Sequence, residues 1–122
     1  MLKSSRNEVL QSVLAIGRAT SIRGEGISLS DALSRVNYAE VRPKLRINEI
    51  VEELRVNPKL VEDWVLYSED KRTPAGWYLK SEKLEIGELS NSSSSKTFQT
   101  LEEAVAAFLL VELDFWASLN AT

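Results

Sequence analysis

The segment from Thr100 to Leu119 constrains the fold of this 122-residue chain most strongly, because its pattern is that of one long helix. Its opening Thr-Leu-Glu-Glu fits a capping box, in which Thr100 caps the helix and Glu103 reaches back to it. At 100° per residue, the apolar positions that follow sweep an arc of roughly 260°. A helix that is apolar over so wide an arc must be covered on most sides. We therefore expect it to pack against both a sheet and the preceding helices.

The first half of the chain carries apolar residues at helical spacing and predicts four further helices. A serine cap, at Ser28 or Ser30, is expected before the second of them. The dipeptide Asn57-Pro58 predicts the start of the fourth, with Asn57 as cap and Pro58 in the first helical position. The predicted helices cover about Ser5–Ala19, Ser30–Val36, Pro43–Arg55 and Pro58–Tyr67.

Short alternating or aromatic segments follow and predict three strands, over 77–79, 84–86 and 96–99. Lys80–Lys83 reads as a tight turn, and the polar run Asn91–Ser95 reads as a hairpin loop. Connections this short favour an antiparallel meander. The expected fold class is α+β in a single domain over 1–122. Residues 1–67 are mainly helical, 76–99 form a three-stranded antiparallel meander, and a long C-terminal helix over 100–119 packs on it.

The chain contains no histidine and no cysteine. This composition excludes Ser-His-Asp and Cys-His catalysis, disulfides and Cys-ligated metals. We expect no cofactor, no metal site and no enzymatic activity. A hydrolase based on carboxylates is the remaining enzymatic alternative, and it ranks last because only Glu112 is well placed for it.

Charge is distributed unevenly along the chain, whose net charge is −3. Residues 1–61 hold ten Lys and Arg against seven Asp and Glu, a balance of +3. Residues 62–122 hold five against eleven, a balance of −6. Each half could face an oppositely charged partner, or the two halves could face each other, and the net charge demands neither a nucleic acid nor an anionic membrane as partner. The most apolar run, Ala104–Leu113, is too short to span a bilayer and is interrupted by Glu112. We expect a cytoplasmic protein.

Glu112 is the residue that fits the C-terminal helix least well. On the helical wheel it falls near the middle of the apolar arc, where an unpaired charge would cost several kcal/mol. Three interpretations stay open. Glu112 pairs with a buried Arg or Lys or accepts hydrogen bonds from Tyr or Trp; it lies at an exposed or oligomeric seam; or it belongs to a ligand-binding or catalytic pocket.

The segment from Trp64 to Tyr78, named here the elbow, is the second unusual feature. It combines two of the three Trp, two of the three Tyr and four consecutive charges around a helix-to-strand connection. Trp, Tyr and Arg dominate interface hot spots, so Asp70, Arg72, Trp77 and Tyr78 form a candidate recognition patch. The alternative is that Trp64 and either Trp77 or Tyr78 are core aromatics.

The layout of residues 76–119 is a Gly-Trp-Tyr strand, two further strands and then Phe-Gln-Thr-Leu-Glu-Glu-Ala-Val leading into a long helix. This plan is similar to that of many small bacterial domains and to immunity proteins that neutralise toxins. The resemblance is one of layout, and no functional residues carry over from it.

These observations predict a small non-enzymatic protein that binds another protein, as an immunity or accessory factor. The first alternative is a small-molecule pocket between sheet and helices, with Glu112 as polar anchor. The second is a nucleic-acid-binding helical domain around the basic cluster Arg42–Arg46. A homodimer through the apolar positions around Phe115 and Trp116 is a further option.

Overall fold

The computed structural model of the chain describes residues 2–20, 26–71, 75–89 and 91–120. Within these ranges, helices precede a small sheet and a long helix ends the chain. The helices are α1 (Leu2–Leu14), α2 (Ile16–Ala19), α3 (Leu29–Val36), α4 (Tyr38–Val41), α5 (Ile47–Val56), α6 (Pro58–Asp70) and α7 (Leu101–Asn120), and the strands are β1 (Trp77–Lys80), β2 (Glu85–Glu88) and β3 (Asn91–Thr97). Single 3₁₀ turns lie at Arg42–Lys44 and Ser81–Lys83.

The three strands form an antiparallel sheet in the order β1-β2-β3, as the meander prediction requires. Leu79 pairs with Ile86, and Ile86 pairs with Lys96, while a bulge interrupts the register between Ile86 and Glu88. Side chains alternate along a strand, so one face of the sheet carries Trp77, Leu79 and Ile86 into the core. The α+β class is therefore confirmed.

Helix α7 is the central element of the core, and it contacts β1, α3, α5 and α6. Thr100 caps the helix as predicted, since its Oγ1 accepts the Glu103 N–H at 3.2 Å. Its apolar residues are closed to solvent because these neighbours cover more than one of its faces. Among those with no exposed surface are Val105, Phe108, Leu109 and Leu113.

The N-terminal helices pack around Trp64 of α6. The indole has no solvent exposure, and its Nε1 donates to the Leu14 carbonyl at 3.0 Å. It lies against Gly17 of α2, where an added Cβ would stand 2.9 Å from the ring. Because Gly17 has no side chain, α2 and α6 can approach each other at this point.

Several predicted boundaries differ from the structure for local reasons. Asn91–Ser95 is part of β3 and not a hairpin loop, because pairing with β2 accommodates polar residues on an edge strand. Helix α6 continues through Asp70, beyond its predicted end at Tyr67. Asn57 makes no side-chain capping bond, and its carbonyl instead accepts the Leu60 N–H. None of the described helices is both long enough and apolar enough to cross a membrane.

Candidate functional site

Glu112 lies at the centre of a polar cluster inside the core and has no solvent exposure. Its Oε2 accepts hydrogen bonds from the Tyr67 hydroxyl at 2.6 Å, from Lys71 Nζ at 2.7 Å and from Trp116 Nε1 at 3.0 Å. Its Oε1 accepts the Trp77 backbone N–H at 2.8 Å. Of the three interpretations of Glu112, the structure shows the first: the carboxylate pairs with a lysine and accepts hydrogen bonds from Tyr and Trp.

Lys71, the C-cap residue directly after α6, is the positive partner in this cluster. Only 9% of its side chain is exposed, and its Nζ also donates to the carbonyls of Ala75 at 3.0 Å and Trp77 at 2.9 Å. All of these acceptors lie on the elbow or on α7. The ammonium group therefore holds the end of α6, the start of β1 and the middle of α7 together.

Gly76 is a steric requirement of the same cluster. Its φ is +90°, a conformation that side-chain-bearing residues rarely adopt. A Cβ there would stand 2.6 Å from Glu112 Oε1 and 2.8 Å from Lys71 Nζ. The backbone can turn into β1 against the ion pair only because residue 76 lacks a side chain.

The electrostatics of the cluster favour a neutral phenol at Tyr67. Burial, followed by the adjacent Glu112 carboxylate, raises the pKa of Tyr67. A protonated hydroxyl is also what donating to the carboxylate requires. Four protein donors thus surround Glu112, and we do not assign it a ligand as well.

The structure separates the members of the candidate recognition patch. Trp77 lies on the core face of the sheet and Tyr78 on the opposite face, because consecutive strand residues alternate. Asp70 is exposed at the end of α6, and Arg72 lies outside the described residues. Trp64 is entirely a core residue. Among the predicted site residues that the structure describes, only Glu112 and the Trp77 backbone are joined directly.

Tyr78 lies on the outer face of the sheet and covers Gly87 of β2. Its hydroxyl donates to Glu85 at 2.5 Å, and Lys80 Nζ stands 5.3 Å from the centre of its ring. The hydrogen bond to Glu85 raises the pKa of Tyr78. These contacts lie within the sheet itself and stabilise the hairpin between β1 and β2.

A second polar group joins the helical half to α7. Asp114 Oδ1 accepts the Tyr38 hydroxyl at 2.7 Å and Arg42 Nε at 2.8 Å. Burial, followed by the hydrogen bond to Asp114, raises the pKa of Tyr38. Arg42 belongs to the basic cluster that permitted a nucleic-acid interpretation, and here its guanidinium binds a carboxylate of the same chain.

A surface feature that the sequence analysis did not predict is a groove between α5 and the junction of β3 with α7. Its volume is about 800 Å³. Apolar side chains of Ile47, Val51 and Phe98 line it, and Ile47 is 47% exposed. We call this feature the α5 groove; its full lining is Ile47, Asn48, Glu49, Val51, Glu52, Arg55, Thr97, Phe98, Gln99 and Glu103.

The α5 groove carries an excess of negative charge. Glu49, Glu52 and Glu103 supply three carboxylates and Arg55 one guanidinium, a balance of −2. The Arg55 group stands 3.6 Å from Glu52, with both side chains more than half exposed. The groove thus places apolar side chains and charged groups on one surface.

No single sequence signal indicates this surface. Helix α5 carries apolar residues at both Ile47 and Val51, and Phe98 follows β3 directly, but no local pattern places these two segments side by side.

Among the described residues, no group of three or more carboxylates is arranged to hold a metal ion. Comparison with protein-family models, with curated proteins and with solved structures finds no match to this chain.

Proposed function

We propose that this chain is a small non-enzymatic protein that binds another protein through the α5 groove. The observation that carries the proposal is the juxtaposition, on one surface, of partly exposed apolar side chains and an excess of carboxylates over cations. Apolar contact supplies affinity at such a surface, and the charges select the partner. The proposal retains the cytoplasmic location expected from the sequence.

The burial pattern supports the groove over the elbow as the binding surface. Trp64 and Lys71 are used inside the fold, and the Trp77 backbone is bound to Glu112. Ile47, in contrast, leaves nearly half of its surface in solvent at the start of α5. A partner that covers Ile47 would remove this apolar area from water at about 25 cal/mol per Å².

The two polar clusters, one buried at Glu112 and one partly exposed at Asp114, support a binding function more than a catalytic one. The carboxylates of Glu112 and Asp114 are each held by hydrogen bonds from tyrosine and from a cation of the same chain. A general acid or base must instead reach a substrate within hydrogen-bond distance. In this proposal both carboxylates act structurally.

The test is partner capture with matched variants of α5. Ile47 and Val56 are both exposed β-branched residues on this helix, but only Ile47 lines the groove. A partner captured from the native host is identified by mass spectrometry and purified, and its affinity is measured for wild type, Ile47→Gln and Val56→Gln. We expect Ile47→Gln to weaken binding and Val56→Gln to leave it unchanged.

Equal affinity of all three proteins for the purified partner would contradict the groove as the binding surface. Circular dichroism and thermal unfolding of each variant control for folding. The immunity-factor version of the proposal makes a separate prediction, because such a factor is expected to be encoded beside a toxin. A neighbouring gene of unrelated function would favour the accessory-factor version.

A further inference from the structure

We propose that the occupant of the α5 groove is an extended segment of the partner that carries Lys or Arg beside large apolar residues and that adds a strand to the free edge of β3. The inference rests on the proposed function and specifies the chemistry of the partner. It is carried by two observations that are independent of each other: the direction of the β3 backbone groups and the charge of the groove.

The backbone direction follows from the register of β2 and β3. The Phe98 N–H donates to the Leu84 carbonyl at 2.9 Å, so Phe98 points its main-chain groups towards β2. Direction alternates along an antiparallel strand, and the neighbouring pair Thr97 with Glu85 is therefore a non-hydrogen-bonded pair. The N–H and C=O of Thr97 are directed to the other side.

That other side is the outer edge of the sheet. Within the described ranges the sheet ends at β3, and residues 95–97 are exposed. Thr97 also lines the α5 groove, together with Phe98 and Gln99. The outward main-chain groups of Thr97 are thus presented to whatever occupies the groove, and strand addition is how an extended peptide uses such groups.

Charge complementarity with the groove predicts which charged side chains the partner segment carries. Glu52 and Glu103 flank the groove from opposite walls, one on α5 and one in the first turn of α7. Lysine or arginine opposite them gains favourable electrostatic energy, and a phosphate-bearing or acidic occupant is repelled. Side chains of an added strand alternate in direction, so residues at every second position enter the groove. Apolar side chains at some of these positions would contact Ile47, Val51 and Phe98.

The first test uses a displayed library of random short peptides selected on the full-length protein. We expect enrichment of sequences that combine Lys or Arg with large apolar residues, and loss of that enrichment with Ile47→Gln. Binding of a selected peptide should weaken several-fold in the double variant Glu52→Gln/Glu103→Gln and at high salt. The matched control is Glu62→Gln, an exposed carboxylate on α6 that does not line the groove. Selection of acidic peptides, or of none, would overturn the inference.

The second test addresses strand addition directly. Thr97→Pro removes an N–H that the ladder with β2 does not use, and proline is tolerated on an edge strand in that orientation. We expect this variant to fold and to lose most of its affinity for the selected peptide. Thr97→Ala, which retains the N–H, should bind as wild type does.

A third measurement keeps the inference testable if Thr97→Pro does not fold. Backbone N-methylation of the peptide at alternate positions should abolish binding for one parity and spare it for the other, because only one edge of an added strand faces β3. Equal tolerance of both parities would overturn strand addition. If Ile47→Gln still loses the purified native partner in that case, the proposed function stands without this mode of binding.

Discussion

Lys71 Nζ lies 2.7 Å from Glu112 Oε2, and solvent reaches neither side chain to any large extent. This contact joins the end of α6 to the middle of α7. Because both charges have left water, their attraction must offset a desolvation cost of several kcal/mol per ion. The further donors from Tyr67, Trp77 and Trp116 contribute to that balance.

Removal of one partner from this pair should therefore destabilise the protein strongly. We expect Glu112→Ala to lower the free energy of unfolding by about 3–5 kcal/mol, since it leaves the Lys71 ammonium buried without a counter-charge. Glu112→Gln keeps the shape of the side chain and should still cost several kcal/mol for the same reason. Urea unfolding followed by circular dichroism measures both, with the exposed Glu62→Gln as control.

The double variant Lys71→Met/Glu112→Leu separates pairing from burial. It removes both charges together, so its cost should be smaller than the sum of the two single substitutions. Full stability of both Glu112 variants would show that the pair is not structural.

Substitution of Gly76 should be costly although it adds only a methyl group. Gly76→Ala forces a side chain into a positive-φ conformation, at about 1–3 kcal/mol, and also displaces Glu112 or Lys71. Gly26 has a φ of +66° and is exposed, so Gly26→Ala serves as the control for backbone strain alone. We expect the larger loss of thermal stability at Gly76. An equal loss at both glycines would contradict the steric role assigned to residue 76.

The cluster around Glu112 shows how far local pattern carries a prediction. A helical wheel identifies Glu112 as misplaced, since the wheel needs only neighbouring residues. It cannot identify Lys71, which is 41 positions away and stands in a run of four consecutive charges. The contact of Lys71 with Glu112 depends on where α6 ends and on how β1 packs against α7, and neither follows from the local sequence.

The elbow and the groove show two different limits of prediction from local sequence. Strand alternation alone places Trp77 and Tyr78 on opposite faces, so their separation was available from the sequence. The groove was not, because Ile47 and Phe98 are ordinary apolar positions in their own segments. Only the packing of α5 against α7 brings the two walls together.

The contact between α2 and α6 sets two effects of opposite sign against each other at Gly17. Gly17→Ala should gain up to about 0.8–1.0 kcal/mol from helix propensity. The new Cβ would stand 2.9 Å from the Trp64 ring, and overpacking costs about 1–3 kcal/mol. The indole has little freedom to move, because its Nε1 is bonded to the Leu14 carbonyl. We therefore expect a net loss of stability.

A double-mutant cycle with Trp64→Phe checks this explanation of Gly17. In the Phe background the smaller ring leaves space for the methyl group, so Gly17→Ala should cost less than in wild type. Additive effects of the two substitutions in urea unfolding would mean that the indole is not what requires glycine at this position.

The tyrosines of the two polar clusters should make the protein sensitive to alkali. Burial and an adjacent carboxylate raise the pKa values of Tyr38 and Tyr67 above the ordinary value of about 10. Below that pH both phenols are protonated in the folded and the unfolded chain, and their contribution to stability is complete. Above it the unfolded chain loses these protons first, so stability falls by about 1.4 kcal/mol per pH unit for each tyrosine.

Urea unfolding at a series of pH values from about 8 to 11 should show a shallower decline for Tyr38→Phe/Tyr67→Phe than for wild type. Identical slopes for the two proteins would mean that neither phenol is held protonated by the fold.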